Sequence, residues 1–371
     1  MRLLCVIADL GSGGAERQLV CVGRELKRRG HWVEFFLYYP ARFYGRLLDE
    51  VGIPVHRRIK QHRWSVRPAL ELRRLILRER FTAVLAFLST PSFYAELATV
   101  GLRGVRLVVS ERSVVPDQKA TCRLRLLALA HLRAQAVVVN SHTHWGWLAA
   151  HFPWLRERLH VIYNGVDLND FRPTDVTPRR KGSELRLLGA GRITRGKNQL
   201  ALVRALALCN ASYGPRVSVD WAGRVEDEQY FRECTSAISK GDLGGVWSWI
   251  GPRSDMPDLM RSYDALILPS LWEGLPNVVC EAMASGLPVL ASHVCDNRLL
   301  LEPARAGLLF RPDDPADIAR AIVQYAGLEA EERQAMGQRA RQYAEERLSI
   351  QRCAAEFERL LDLQWLDSPR G

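Results

Sequence analysis

The sequence predicts an α/β protein with two Rossmann-like domains, each built around a doubly wound parallel sheet. Short apolar runs alternate with helical stretches along nearly the whole chain, and the alternation occurs in two series separated by a polar segment. Alternating β and α elements are typical of parallel sheets covered by helices on both faces. The length of 371 residues also suits two domains of ordinary size.

The first series begins with an apolar run at 3–8, which is followed by Gly11, Gly13 and Gly14. Apolar spacing over 15–29 then indicates a helix that ends at Gly30. A strand, a glycine-rich turn and a helix are therefore predicted in that order. Further strands of this series are predicted at 33–38, 83–88, 107–110, 136–140 and 160–163.

The second series begins after a segment at 171–183 that is rich in proline, charge and small polar residues, which suits an exposed linker. Domains are accordingly predicted at 1–172 and 183–350, and a C-terminal helix at about 351–365 is expected to pack back on the first. Strands are predicted at 185–189, 217–222, 247–250, 265–268, 288–291 and 307–310, and helices at 199–208, 315–326, 329–347 and 351–363.

Composition narrows the class of protein. Hydrophobic residues make up 47% and charged residues 25%, which is typical of a globular chain. The eight cysteines are scattered without metal-ligand spacing, so neither a metal nor a cofactor is predicted. The longest apolar region, 81–102, contains Pro91 and Glu96, so a membrane-spanning helix is not expected. A cytoplasmic protein is therefore predicted.

The strongest motif runs from Glu273 to Glu281. It follows the predicted strand at 265–268, and Gly274 and Pro276 suit the start of a helix. Free backbone N–H groups at such a start, beyond the carboxyl end of a parallel strand, form a site for an anion. Glu281 falls about one turn into this helix, within reach of a sugar hydroxyl pair beside the anion.

A second motif, at 189–198, also follows a strand and precedes a helix. It places Arg192 and Lys197 near a helix N-terminus, where the macrodipole disfavours cations. An anionic ligand compensates such an arrangement, and a diphosphate suits both side chains. A solvated basic loop is the alternative interpretation of this motif.

These two motifs, preceded by Asn164-Gly-Val-Asp167, resemble the signature of glycosyltransferase family 4, whose members are retaining enzymes. The resemblance covers nearly the whole chain, and it includes the turn that begins with Gly13 and Gly14. It implies the GT-B fold, in which two Rossmann-like domains face each other across a cleft. The spacing of seven residues between Glu273 and Glu281 makes the resemblance specific, because Pro269-Ser270 precedes it and Gly286-Leu-Pro-Val follows it.

The resemblance implies a role for each motif. Arg192 and Lys197 hold the donor diphosphate, Glu281 binds the ribose, and Arg253 lies beside the base. Glu273 contacts the donor sugar together with the backbone of the helix start. The predicted catalytic residues are Arg192, Lys197 and Glu273, and the predicted substrate-binding residues are Gly13, Gly14, Arg112, Asn164, Arg253, Gly274, Leu275, Asn277, Val278 and Glu281.

One departure concerns the end of the strand at 107–110. Many family members carry a histidine there, whereas this chain has Glu111 and Arg112. Arg112 is interpreted as facing the donor sugar or the acceptor. His142 and His144 are the nearest histidine alternatives for a site, against a structural or surface role.

The positive charge is concentrated in the first half of the chain, where residues 1–170 contain 26 Lys or Arg against 14 Asp or Glu. Segments 57–80 and 119–133 combine basic and apolar residues, a pattern typical of helices that bind anionic membranes. Solvated outer faces of core helices are the alternative. Nucleic acid is not predicted as a partner, because no nucleic-acid-binding motif accompanies the charge.

The predicted function is transfer of a sugar from a nucleotide-diphosphate sugar, UDP-sugar before GDP-sugar, to a lipid-linked or glycan acceptor in surface polysaccharide or glycolipid synthesis. The enzyme is expected to work peripherally on the inner face of the membrane. Two alternatives stay open: a sugar-nucleotide epimerase or hydrolase of similar fold, and a non-enzymatic scaffold that binds membrane or RNA.

Overall fold

The computed structural model describes residues 1–60, 62, 65–112, 121–174, 184–211 and 216–362, which form two compact units. One unit consists of Met1–Gly165 together with the chain from Ile350 onward, and the other is Val166–Ser349. Of the predicted linker at 171–183, only 171–174 lies within the described residues.

The first unit contains a seven-stranded parallel sheet in the order β3-β2-β1-β4-β5-β6-β7. The strand order reverses between β1 and β4, which is where ligands bind in open sheets of this kind. The strands are β1 (Arg2–Val6), β2 (Trp32–Leu37), β3 (Val55–Arg57), β4 (Ala83–Phe87), β5 (Arg106–Glu111), β6 (Ala136–Val139) and β7 (Leu159–Val161).

Helices cover both faces of this sheet, so its central strands are apolar at successive positions, as in residues 3–6 and Ala83–Phe87. Leu3 and Cys5 of β1 belong to one core and Leu4 and Val6 to the other. The helices are α1 (Gly14–Arg28), α2 (Gly45–Asp49), α3 (Arg67–Glu79), α4 (Ser89–Thr99), α5 (Cys122–Ala130) and α6 (His142–His151), with 3₁₀ turns at His131–Arg133 and Pro153–Arg158.

The second unit contains a six-stranded parallel sheet in the order β10-β9-β8-β11-β12-β13. Its strands are β8 (Glu184–Ala190), β9 (Arg216–Ala222), β10 (Trp247–Gly251), β11 (Ala265–Leu268), β12 (Val289–Ser292) and β13 (Gly307–Phe310). Its helices are α7 (Gln199–Ala211), α8 (Glu228–Lys240), α9 (Met256–Met260), α10 (Asn277–Ala284), α11 (Asn297–Ala304), α12 (Pro315–Ala326) and α13 (Ala330–Arg347), with a 3₁₀ turn at Arg195–Lys197.

The last helix, α14 (Ile350–Leu361), packs in the first unit. Ile350, Cys353 and Phe357 join the core on the α1 side of the sheet, and the Phe357 ring lies 5.6 Å from that of Phe87. Its outer edge is held by Glu358, which pairs with Arg29 and His31.

The prediction of two parallel-sheet α/β domains is confirmed. All twelve predicted strands are present, and the helices at 315–326 and 329–347 agree to within a residue. The sequence missed β3, because the three residues Val55–Arg57 carry two polar side chains and give no apolar run. Among the described helices, none combines the length and the apolar composition needed to cross a bilayer.

Candidate functional site

Lys197 and Glu273 form an ion pair beyond the carboxyl ends of two neighbouring strands in the second unit. Lys197 Nζ donates to Glu273 Oε1, and Ser270 Oγ donates to the same oxygen at 2.7 Å. Lys197 follows β8 and Glu273 follows β11, and these strands pair directly. Both side chains are mostly buried, with 18% and 13% of their surface exposed. The two strongest sequence motifs therefore meet at one point.

Hydrogen bonds between the loop after β8 and the loop after β11 fix the position of the Lys197–Glu273 pair. The N–H of Leu271 donates to the carbonyl of Gly196 at 2.9 Å, and Asn198 Nδ2 donates to the carbonyl of Pro269 at 3.1 Å. Asn198 adopts the left-handed conformation, with φ of 58°, and ends the 3₁₀ turn that carries Lys197. The Lys197 ammonium is thus positioned by backbone contacts on both sides.

Glycines allow the close backbone approach beneath Lys197. Gly191 has φ of 147°, and a Cβ there lies 3.1 Å from the Lys197 stem. A Cβ on Gly223 lies only 1.9 Å from the Gly191 carbonyl oxygen. That oxygen also accepts a hydrogen bond from Trp221 Nε1 at 2.9 Å, so it has little room to move.

Gly223→Ala is therefore expected to destabilise the second unit by about 1–3 kcal/mol, because overpacking shifts the backbone at Gly191. Thermal unfolding measures the effect. Gly244→Ala is the matched control, since a Cβ at Gly244 meets nothing within 4 Å. Equal melting temperatures for the two variants would contradict the expectation.

Arg192 is exposed and already has a protein partner. Its guanidinium pairs with Glu226 at 2.9 Å, and 59% of its side chain is exposed. Its carbonyl accepts a hydrogen bond from Gln199 Nε2 at 3.0 Å, which fixes the backbone at the start of α7. A phosphate at Arg192 therefore competes with Glu226 for the guanidinium.

Helix α10 begins at Asn277, as the sequence predicted, with Pro276 as its N-cap residue. The N-cap residue provides no side-chain hydrogen bond at this end, and the N–H groups of Val279 and Cys280 donate to its carbonyl at 3.1 and 3.4 Å. Gly274, Asn277 and Val278 are partly exposed, whereas Leu275 is buried. An anion at this end is favoured by the helix dipole.

Two further predicted residues, Glu281 and Arg253, also belong to the second unit. Glu281 is one turn into α10 and only 4% exposed. Arg253 follows β10 and forms a bidentate pair with Asp255, with distances of 2.5 and 2.8 Å. Their predicted contacts with ribose and base stay predictions.

Arg112 and Asn164 contact each other inside the first unit. Arg112 Nη1 donates to Asn164 Oδ1, and Arg112 Nε donates to Ser110 Oγ at 3.0 Å. The guanidinium carbon lies 4.1 Å from the centroid of the Phe87 ring. Burial lowers the pKa of Arg112 to about 10. Among the described residues, Arg112 Nη2 has no hydrogen-bond partner.

The glycine turn lies at the start of α1. Gly13 is the N-cap residue in an extended conformation, and Gly14 is the first residue of the helix. A Cβ on Gly13 lies 2.0 Å from Glu16 Oε2, so the side chain of Glu16 folds back over the turn. Sequence reasoning missed Gln18, which ties α1 to Gly165 through two hydrogen bonds of 2.9 Å.

The sequence also missed a buried charged cluster, which we call the Glu96–His131–Glu111 cluster. His131 Nδ1 lies 2.5 Å from Glu96 Oε1, and His131 Nε2 lies 3.4 Å from Glu111 Oε1. Ser89 Oγ donates to the other Glu111 oxygen at 2.7 Å. All three members of the cluster are less than a tenth exposed.

The two histidines considered as alternatives have different surroundings. His144 is buried near Glu111, and burial lowers its pKa to about 4, so the imidazole is neutral at pH 7. His142 begins α6, and its ring makes an edge contact with Tyr163 at 5.9 Å between centroids.

Two family models match successive parts of the chain. Residues 12–170 match the model described as Glycosyltransferase Family 4, and residues 184–327 match the model described as Glycosyl transferases group 1. The chain belongs to glycosyltransferase family 4. The expected resemblance is confirmed, and the two matched parts contain six of the seven strands of the first sheet, β2 to β7, and all six strands of the second.

Curated relatives of this family 4 chain include two bacterial transferases. One is the Escherichia coli UDP-Gal:alpha-D-GlcNAc-diphosphoundecaprenol alpha-1,3-galactosyltransferase, 28% identical over 45% of this chain and 45% of the relative. The other is the D-inositol 3-phosphate glycosyltransferase of Corynebacterium kroppenstedtii, 26% identical over 62% of this chain and 52% of the relative. The chain thus spans about half the length of these relatives.

Among solved structures, the Anabaena protein HepE in complex with UDP and glucose matches with a TM-score of 0.83. The match covers 96% of the family 4 chain and 98% of HepE, at 22% identity. The lipopolysaccharide outer core galactosyltransferase WaaB matches with a TM-score of 0.73 over 97% and 99% of the two chains, at 17% identity. These likenesses confirm the GT-B fold.

Proposed function

We propose that this chain is a retaining glycosyltransferase that moves a sugar from a UDP-sugar to a lipid-linked glycan acceptor and needs no metal ion. The observation that carries the proposal is the Lys197–Glu273 pair beside the uncapped start of α10. The relatives support the choice of substrates: one is named for UDP-Gal and a diphosphoundecaprenol acceptor, and HepE was solved with UDP.

The proposed mechanism uses charges that the protein fixes before the reaction. As the bond between the anomeric carbon and the phosphate oxygen breaks, negative charge grows on the diphosphate. The Lys197 ammonium and the first N–H groups of α10 stabilise that charge, and Arg192 adds to them after it exchanges Glu226 for phosphate. No electrophilic metal is required for this stabilisation.

Glu273 is proposed to hold the donor sugar. Its Oε1 accepts from Lys197 and Ser270, which orients the carboxylate, and Oε2 is available to accept from a sugar hydroxyl. The acceptor hydroxyl then attacks from the face that the diphosphate leaves, so the anomeric configuration is retained. The departing phosphate takes the hydroxyl proton.

The donor proposal is tested by thermal unfolding with a panel of UDP- and GDP-sugars. A ligand that binds the folded protein raises its melting temperature by mass action, and a UDP-sugar is expected to give the largest rise. The product's anomeric configuration then tests retention. A panel without any shift contradicts the proposal, and turnover of the donor without an acceptor indicates an epimerase or hydrolase instead.

The acceptor side is proposed to dock on an anionic membrane surface from the cytoplasm. Helices α3 and α5 expose leucines beside arginines: Leu70 and Leu77 are 53% and 56% exposed, and Leu126 and Leu129 are 67% and 50% exposed. Aliphatic side chains beside cations suit the boundary between headgroups and acyl chains. A membrane location agrees with a lipid-linked acceptor, because the lipid that carries such an acceptor lies in the membrane.

Leu126→Asp combined with Leu129→Asp is expected to lower binding to phosphatidylglycerol vesicles by about tenfold or more, because it removes two apolar contacts and adds two negative charges. Cosedimentation with vesicles measures the change. Leu208→Asp on α7 is the control, since Leu208 is 49% exposed in the second unit. If the α5 variant binds vesicles as well as the control does, α5 is not a docking helix.

A further inference from the structure

A pocket of about 190 Å³ lies in the first unit, where the chain leaves β3 and enters α3. None of the predicted site residues lines it. Its volume admits a phosphate-sized group and several waters. The lining residues are Arg57, Arg58, Ile59, Lys60, Arg67, Pro68 and Glu71.

The pocket carries far more positive than negative charge. Among the described residues that line it, Glu71 is the one carboxylate, and it is shared by Arg58 at 3.8 Å, Arg67 at 4.0 Å and Arg74 at 3.0 Å. One carboxylate therefore faces three guanidinium groups. Its single negative charge cannot neutralise their three positive charges.

The two remaining cations lack a carboxylate partner in the part of the chain that the structure describes. Lys60 Nζ donates to the neutral Tyr94 hydroxyl at 2.6 Å, which in turn donates to the carbonyl of Ser65 at 3.0 Å. These two hydrogen bonds position the ammonium without cancelling its charge. Arg57 is exposed at the end of β3, and its carbonyl accepts a hydrogen bond from Arg58 Nη1 at 2.9 Å.

The start of α3 adds to the positive potential. Its first turn contains Arg67 and no acidic residue, and its N-cap residue Val66 provides no side-chain hydrogen bond. A cation at this end of a 13-residue helix is disfavoured by the helix dipole, and an anion is favoured by it. The local sequence is thus unfavourable by itself and becomes favourable when an anion is bound.

We propose that this pocket binds the phosphate or diphosphate group of the acceptor's carrier. Arg57, Lys60 and Arg67 are its main ligands, and Glu71 keeps Arg58 and Arg67 in place. The anion itself follows from the pocket's charge and volume, and only its assignment to an acceptor carrier rests on the proposed function. The donor diphosphate has its own residues, Arg192 and Lys197, in the other unit.

Titration of inorganic diphosphate into protein saturated with UDP tests the pocket separately from the donor site. The wild type is expected to bind diphosphate, with an affinity that falls as salt is added. The double variant Arg57→Gln/Arg67→Gln is expected to lose about tenfold or more in affinity while binding UDP normally. Its melting temperature shows whether it is folded.

Arg42→Gln/Arg46→Gln is the matched control, because these two arginines are exposed on the same unit outside the pocket and carry the same charge. Equal loss in both double variants, or no binding of diphosphate in the presence of UDP, overturns the proposal. Failure of the proposed function has a different signature: UDP-sugars do not bind, while the diphosphate titration is unaffected.

Vesicles then identify the source of the anion. Phosphatidylcholine vesicles that contain undecaprenyl diphosphate are compared with vesicles that contain phosphatidylglycerol. Preferential binding to the former, with competition by free diphosphate and loss in the pocket variant, assigns the pocket to a lipid carrier. Binding of free diphosphate alone assigns it to a soluble phosphate-bearing compound. Equal binding to both vesicles without competition by diphosphate overturns the pocket as a specific site.

Discussion

Replacing Lys197 by alanine should lower kcat by about a hundredfold to a thousandfold, which is the usual effect of removing one fixed donor to a charge that grows in the transition state. The ammonium is mostly buried and held by Glu273 and by the turn that ends at Asn198. A preorganised charge of this kind stabilises the leaving diphosphate more than it stabilises the bound donor. KM should therefore change less than kcat.

The measurement is steady-state sugar transfer with the UDP-sugar that stabilises the protein most. Lys240→Ala is the matched control, because Lys240 is exposed at the end of α8 in the same unit. Lys197→Ala also leaves the Glu273 carboxylate without its cation. The double variant Lys197→Ala/Glu273→Gln is therefore measured as well, to separate the loss of the ammonium from the effect of an unpaired carboxylate. A folded Lys197→Ala variant with wild-type kcat contradicts the proposed mechanism.

Replacing His131 by glutamine should lower the free energy of unfolding by about 3–5 kcal/mol near pH 6, because it leaves two buried carboxylates without their cation. Burial on its own lowers the pKa of His131, but the contacts with Glu111 and Glu96 outweigh it and raise the pKa to about 10. The histidine is therefore charged in the folded protein at pH 7.

The pH dependence follows from the direction of these shifts. The folded pKa of His131 lies above the ordinary value of 6.5, so its contribution to stability is complete below pH 6.5 and is lost as pH rises through about 10. Burial alone raises the pKa of Glu111, but His131 and Ser89 together hold it below 4.5. The contribution of Glu111 is therefore present above pH 4.5 and is lost in stronger acid.

Urea unfolding of the wild type and of His131→Gln, repeated across this pH range, measures the difference. The gap between the two proteins should be widest near pH 6 and should close above about pH 10. His151→Gln is the control, because His151 is exposed in the same unit. A gap that does not depend on pH would show that His131 stabilises the unit by packing alone.

The positions of Lys197 and Glu273 could be predicted from the sequence because the two residues belong to two short strand–turn–helix segments. In each segment the turn beyond a strand places its side chains at the carboxyl edge of the sheet, whatever the rest of the chain does. To predict that Lys197 and Glu273 contact each other, one must also know that β8 pairs with β11. That pairing follows from the strand order of a doubly wound sheet.

The features of the structure that the sequence did not predict depend on contacts between residues that lie far apart along the chain. Glu96, His131 and Glu111 come from three different elements, and each residue alone resembles a polar side chain on a helix or strand. The partner of Arg192, Glu226, lies on another loop. Arg112 is buried only because Phe87 and Phe357 cover it, and Phe357 comes from the last helix. Local periodicity contains no information on such contacts.

The return of α14 to the first unit has a consequence for synthesis on the ribosome. All seven strands of that unit emerge early, but Ile350, Cys353 and Phe357, which complete one of its two cores, are translated only after the whole second unit. A nascent chain that ends at Gly165 exposes the apolar surface that α14 later covers, whereas Val166–Ser349 is continuous and can fold as soon as it emerges. The second unit should therefore be the easier one to produce by itself, and the first should require its last helix to be joined back to Gly165.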